Sequence, residues 1–159
     1  MRLCGQQAVW NYEEENGLLT IQGVGAMEDY TEPEQVPWNS LMQEIKVVVI
    51  RDGITTVGDY AFAGCSNLQE VTLPGSVEIV GVFSFKGCTG LREIVIPEGV
   101  RVLASKAFQF CSALKKVYLP STLIDVDMRA FGKCESLEEV FYQGSEEQWE
   151  HRLFGLFWL

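Results

Sequence analysis

Cys65, Cys88, Cys111 and Cys134 recur at steps of 23 residues, and Cys4 stands apart from them. Thiols bridge, hold metals or attack as thiolates, so this column is the first place to look for chemistry. A metal site needs converging ligands, and the chain has no Cys-x-x-Cys pair and one histidine, His151. Side chains at one phase of successive repeats point the same way at the roughly 4.8 Å spacing of neighbouring strands, which opposes the geometry of a disulfide. The column predicts buried free thiols. Cys4, the odd one, is expected at the surface.

His151 lies beside Glu150 and Arg152 with no companion nucleophile motif, so a solvent-facing histidine is the simpler reading. Ser105, Ser112 and Ser121 occupy turn positions, and no Gly-x-Ser-x-Gly or His-Glu-x-x-His pattern accompanies them. Gly23-Val24-Gly25 lacks the third glycine of a dinucleotide site. Paired carboxylates hydrolyse glycosides only when they face each other across a cleft. Here Glu13-Glu14-Glu15 falls in a predicted hairpin turn, and Glu146-Glu147 opens a predicted helix, where negative charge suits the dipole. The sequence therefore predicts no catalytic residue, no metal and no cofactor, and a protein that is not an enzyme.

The same step carries a scaffold. Phe62, Phe85, Phe108 and Phe131 repeat with the cysteines, as do Leu68, Leu91, Leu114 and Leu137, then Val71, Ile94, Val117 and Val140. A fixed period in the twenties marks a stacked solenoid, in which one rung cannot bury its apolar face alone. In Leu68-Gln69-Glu70-Val71-Thr72-Leu73-Pro74 apolar residues alternate with polar ones, the period of a strand. Pro74, Pro97 and Pro120 then end each strand, because proline cannot donate to a ladder. The second half of the unit, with Val77, Val80 and Phe85, reads as a short extended segment followed by a tight helical turn. The glycine column runs Gly58, Gly81, Ala104, Asp127, so a strict positive φ is not expected there.

The prediction is a β-rich solenoid, an α/β repeat with a parallel ladder of about five short strands on a 23-residue period, capped at both ends. Residues 1–44 form an N-terminal cap, with a β-hairpin from Ala8–Tyr12 and Leu18–Ile21; residues 45–142 hold the repeats. Residues 143–159 form a C-terminal cap, where Ser145-Glu146-Glu147-Gln148 fits a capping box for a short helix to about Leu153, followed by an apolar tail.

Composition narrows the partners. With 47% apolar residues the chain folds, and its net charge of −10 repels nucleic acid and anionic lipid. Its longest apolar stretch, Leu153–Leu159, is far short of the roughly 20 residues of a membrane span. The N-terminus lacks the apolar run of a secretory signal, which leaves a cytoplasmic location open.

The unit Ala61-Phe62-Ala63-Gly64-Cys65-Ser66-Asn67-Leu68-Gln69-Glu70-Val71-Thr72-Leu73-Pro74 closely resembles the BspA-like leucine-rich repeats of bacterial surface proteins. Gly17-Leu18-Leu19-Thr20-Ile21 with Gly23-Val24-Gly25-Ala26-Met27 is similar to that family's N-terminal cap, and Gly144-Ser145-Glu146-Glu147-Gln148-Trp149 to its closing segment. The resemblance implies a leucine-rich-repeat solenoid, secreted or displayed on the cell surface. It further implies a non-enzymatic interaction or adhesion module for a host or environmental protein or glycan. An intracellular scaffold or a self-associating repeat protein is the alternative.

Outward positions of a parallel ladder form columns. One reads Val49, Thr72, Val95, Tyr118, Phe141, and its neighbour Val47, Glu70, Glu93, Lys116, Glu139. An apolar stripe rimmed by charge suits a partner interface, with Thr72, Val95, Tyr118, Phe141, Glu93, Lys116 and Glu139 as candidate contacts. Cross-strand packing accounts for the same residues equally well. Val47–Ile50 is apolar on both faces, so the N-terminal cap is a candidate to fold over it. The tail, Phe154, Leu156, Phe157, Trp158 and Leu159, suits self-association or tucking onto the last rung.

Overall fold

The computed structural model describes residues 2–153. The chain opens with β1 (Ala8–Glu13) and β2 (Leu18–Gly23), joined by a turn with Gly17 at φ 62°, and continues through β3 (Gly25–Ala26). Two 3₁₀ turns, Pro33–Gln35 and Asn39–Leu41, lead into the repeats. There β4 (Val47–Ile50), β6 (Glu70–Thr72), β8 (Glu93–Val95), β10 (Lys116–Leu119) and β12 (Glu139–Tyr142) alternate with β5 (Ile54–Val57), β7 (Ile79–Val80), β9 (Val102–Leu103) and β11 (Asp125–Val126). A single turn, α1 (Glu146–Gln148), runs on into a π-helical turn, Trp149–Leu153.

The five predicted strands form the first side of the solenoid, in two sheets: β1-β2-β4-β6 and β8-β10-β12. All pairings are parallel except β1 with β2. The hairpin does not fold over Val47–Ile50. Instead β2 pairs with β4 edge to edge, Leu18↔Val47 through Ile21↔Ile50, so the cap lengthens the ladder by one strand and Val47 and Val49 stay half-buried. This arrangement satisfies the backbone groups on the open edge of the first rung, which covering its face would leave unpaired.

A second ladder, β3-β5-β7-β9-β11, lines the next side and gives the extended half-unit a partner. The third side, 58–66 and its repeats, is a non-helical turn rather than the expected helical one. Its amides alternate: Ala61 N and Ala63 N bond back to Gly58 O and Tyr60 O at 3.2 Å, and those between reach across to the next rung, Tyr60 N to Val82 O at 2.9 Å, Phe62 N to Ser84 O at 2.7 Å and Gly64 N to Lys86 O at 2.7 Å. Inter-rung bonding thus runs along all three sides, broken on the first between β6 and β8, and a continuous helix in the turn would have taken the crossing amides away from it.

Between the three sides lies the core. Phe62, Phe85 and Phe108 are fully buried and stack with Phe131 at 5.2, 5.1 and 5.3 Å between centroids. Trp38 closes the N-terminal end of this column, 5.5 Å above Phe62, and its Nε1–H donates to Ala61 O at 2.8 Å. Leu68, Leu91 and Leu114 are fully buried, while Leu137 in the last rung is only half-buried. Gly58 and Gly81 admit close approach rather than positive φ: a Cβ at Gly81 would lie 2.6 Å from Val57 O.

The predicted capping box forms at the other end. Gln148 N donates to Ser145 Oγ at 3.1 Å, and Ser145 N donates to Gln148 Oε1 at 2.9 Å. Trp149 then packs on Tyr142 with centroids 5.7 Å apart.

Candidate functional site

The cysteine column is chemically quiet. Cys88, Cys111 and Cys134 each donate from Sγ to the carbonyl of Phe62, Phe85 and Phe108, at 3.3, 3.2 and 3.1 Å. Each thiol therefore ties its rung to the one before. All five cysteines are free, and Cys4, expected at the surface, is fully buried inside the cap. It sits there because Cys4 N donates to Ala8 O at 2.9 Å and its carbonyl accepts from Glu28 N, drawing the leading segment onto the hairpin.

Burial, with Glu28 adding to it, pushes the Cys4 thiol up to about 12, and burial alone does the same to Cys65. Cys134 is raised first by its hydrogen-bonding neighbour Cys111 and then by burial. Cys111 is lowered by hydrogen bonding to Cys134 but raised by Cys88 and burial, and ends well above the ordinary thiol value. These groups stay protonated at neutral pH and are poor nucleophiles. Among the described residues no group of three or more His, Cys, Asp or Glu side chains is placed to hold a metal ion. His151 is exposed in the closing π-helical turn.

The outward columns on the first side are in register. Val95, Tyr118 and Phe141 are consecutive partners across β8, β10 and β12, and so are Glu93, Lys116 and Glu139. Thr72 belongs to the neighbouring sheet, paired with Val49, so it stands beyond the seam between β6 and β8. Tyr118 and Phe141 stack at 4.8 Å with an interplanar angle of 14°. Val95 keeps 51% of its surface exposed and Phe141 39%. Beside them Lys116 Nζ lies 3.9 Å from Glu139 Oε1, an exposed pair worth at most about 1 kcal/mol. Strand alternation sends the intervening residues inward, so Ile94 and Val117 are buried beneath this stripe. Both readings of the column meet in it, since the rings pack across strands and also face solvent.

A second cluster, half-buried on the turn side, was not singled out from the sequence. Tyr60 and Phe83 sit 4.9 Å apart, Lys86 Nζ lies 4.9 Å over Phe83, and Lys106 Nζ lies 5.4 Å over the same ring. Tyr60, Phe83 and Lys106 share one phase of the repeat, but their residue types differ, and Lys86 reaches them from three positions beyond Phe83, so identity along that phase does not reveal the group.

Among the described residues no helix is long and apolar enough to cross a membrane. The family model described as "BspA type Leucine rich repeat region (6 copies)" matches residues 40–155. No curated protein matches the chain. Among solved structures, a leucine-rich repeat protein from Eubacterium ventriosum superimposes with a TM-score of 0.71 at 23% identity, over 91% of this chain and 44% of that one. A leucine rich cell surface protein from Faecalibacterium prausnitzii gives 0.74 at 22% identity, over 92% of this chain and 41% of that one. The leucine-rich repeat protein of T. pallidum gives 0.62 at 20%, over 88% of this chain and 71% of that one. The chain spans less than half the length of the first two, and at these identities the likeness is one of fold.

Proposed function

The chain belongs to the BspA-type leucine-rich-repeat family, and from that premise we propose that it is a non-enzymatic recognition and adhesion module that grips a host or environmental protein along the stripe Val95, Tyr118, Phe141. The row Glu93, Lys116, Glu139 supplies the charged rim and sets orientation, and Thr72 extends the contact toward the N-terminal sheet. The observation that carries this reading is the stacked pair of the half-buried Tyr118 and the exposed Phe141. Rings already ordered by their neighbours lose little conformational freedom on binding, and aromatic anchors dominate binding energies. Secretion or surface display follows the family and the printed name of the F. prausnitzii protein.

The test is the double variant Tyr118→Ser with Phe141→Ser, screened beside the parent chain against immobilised extracellular-matrix proteins and a glycan array. Loss of the parent's partner by about tenfold or more, with an unchanged circular dichroism spectrum, supports the assignment, since one anchor residue is commonly worth that much. Equal affinity overturns it, and capture on the glycan array alone moves the partner to a carbohydrate. Self-association through Phe154, Leu156, Phe157, Trp158 and Leu159 concerns residues outside those described.

A further inference from the structure

We propose that the turn side of the solenoid is a second docking surface, built around Phe83, Lys86, Lys106 and Phe110, for a linear anionic polysaccharide. It shares no residue with the stripe on β8, β10 and β12.

Charge is the first argument. The chain carries −10 overall, yet this side gathers Lys86, Lys106, Arg129 and Lys133 within successive turns. Among the described residues the one ion pair is Lys116 with Glu139, so Lys86 and Lys106 have no carboxylate within 4.0 Å. Of the acids in the same turns, Asp59 and Asp127 are turned to the backbone, Asp59 Oδ1 accepting from Val82 N at 2.8 Å and Asp127 Oδ1 from Arg129 N at 2.8 Å, while Glu135 is exposed in the last turn, beyond the rungs of Lys86 and Lys106. The ammonium groups instead sit over rings, Lys86 Nζ being 4.9 Å from the Phe83 centroid and 5.9 Å from that of Phe110. Rings hold the cations in place without neutralising them. At physiological salt the screening length is about 8 Å, so remote carboxylates do little to cancel such a local patch.

The display of the side chains is the second argument. Phe110 is 46% exposed and has φ 62°, at the repeat phase where Gly64 and Gly87 take the same left-handed conformation. Tyr60, Phe83 and Lys106 hold φ values of 63°, 57° and 58° at an earlier phase of the same turn. Side chains other than glycine adopt that region rarely, because Cβ crowds the backbone there.

The backbone decides between classes of partner. Amides here are consumed between rungs, as Phe83 N to Ser105 O at 3.2 Å and Phe110 N to Gly132 O at 2.9 Å show, so a peptide finds no strand edge to extend. Recognition has to come from side chains that successive turns set side by side, Lys86 in one and Lys106 and Phe110 in the next. A linear polymer of sugar rings bearing carboxylate or sulfate groups fits that pattern, its anions meeting the lysines and its apolar ring faces the exposed edge of Phe110.

The experiment uses the full chain and three soluble probes: heparin, neutral dextran and poly-L-glutamate. Heparin is expected to bind, dextran not to bind, and poly-L-glutamate to bind at least about fivefold more weakly than heparin. The variant Lys86→Gln with Lys106→Gln should lose about tenfold of heparin affinity, as removal of two charged contacts does. Lys115→Gln with Arg101→Gln, which removes the same charge elsewhere, should lose little, and the Tyr118→Ser, Phe141→Ser variant none. Equal losses in the two charge variants, no heparin binding by the parent, or poly-L-glutamate binding as tight as heparin overturns the proposal. Failure of this site leaves the stripe's own test untouched.

Discussion

Two columns of aromatic rings run along this solenoid at nearly the same spacing. The inner one, Trp38, Phe62, Phe85, Phe108 and Phe131, has centroids 5.1 to 5.5 Å apart, and the outer pair, Tyr118 and Phe141, 4.8 Å. Ring spacing follows from the rise of the ladder, so it is nearly the same wherever one phase of the repeat is aromatic. What separates the columns is water. Phe62, Phe85 and Phe108 are wholly buried, while Phe141 keeps 39% of its surface exposed. Stacking alone therefore identifies neither a stabilising residue nor a binding one, and burial assigns the first role.

The sharpest way to break that comparison is to truncate one ring from each column. Phe85→Ala removes a fully buried side chain with rings on both sides and should cost about 3–5 kcal/mol in chemical denaturation. Phe141→Ser gives up the pair, about 0.5–1.5 kcal/mol beyond its buried area, and part of a phenylalanine's burial, so it should cost about 1–3 kcal/mol and less than Phe85→Ala. Similar losses at the two positions would mean that the outer pair is a structural element of the ladder, and would weaken its case as an interface.

The inner columns were also what the sequence displayed most openly. Repetition at one phase identifies residues that stack on their own copies, hence Phe62 to Phe131, Leu68 to Leu137 and the thiols from Cys65 to Cys134 were all legible. Trp38 was not, because it lies 24 residues before Phe62 and belongs to no repeat, although it ends the column physically. Cys4 was misplaced for the same reason: its burial comes from backbone bonds to Ala8 and Glu28, which no periodicity encodes. The register of Val95, Tyr118 and Phe141 could be read from the alternation of the strands. The turn-side cluster could not, because its inter-rung amide bonds give a backbone that has neither the strand nor the helix period.

The thiols offer a finer probe of burial. In Cys65 the folded-state thiol is raised from 9.0 to about 12 by burial. Below pH 9 both states are protonated and the contribution of this group to stability is complete. As pH rises from 9 toward 12 the unfolded chain ionises first, so that contribution falls, and it levels once the folded thiol also ionises. Thermal melts should show Cys65→Ala less stable than the parent at pH 8, with the gap narrowing steadily up to the alkaline limit of the measurement. A gap that stays constant between pH 9 and 11 would show that water reaches Cys65, and the inner column would not be the dry interior that distinguishes it from the outer one.

The smallest expected effect lies on the turn side, where exposure and backbone strain coincide. Lys133 is exposed at φ 61°, the phase held by Gly64 at 81° and Gly87 at 73°. Glycine there removes a left-handed cost of roughly 1–2 kcal/mol. It also frees the unfolded chain, which offsets about 0.4–1 kcal/mol of the gain. Lys133→Gly should therefore stabilise the protein by a few tenths to about 1 kcal/mol, read as a higher denaturation midpoint at an unchanged slope. Phe110→Gly relieves the same strain but also removes the ring under Lys86, so its gain should be smaller. If Lys133→Gly instead destabilises, the turn backbone holds no strain for glycine to relieve, and Phe110 is displayed there without cost. If both variants gain equally, the ring at Phe110 adds nothing to the isolated fold, and its exposure resembles that of Phe141 rather than the packing of Phe108.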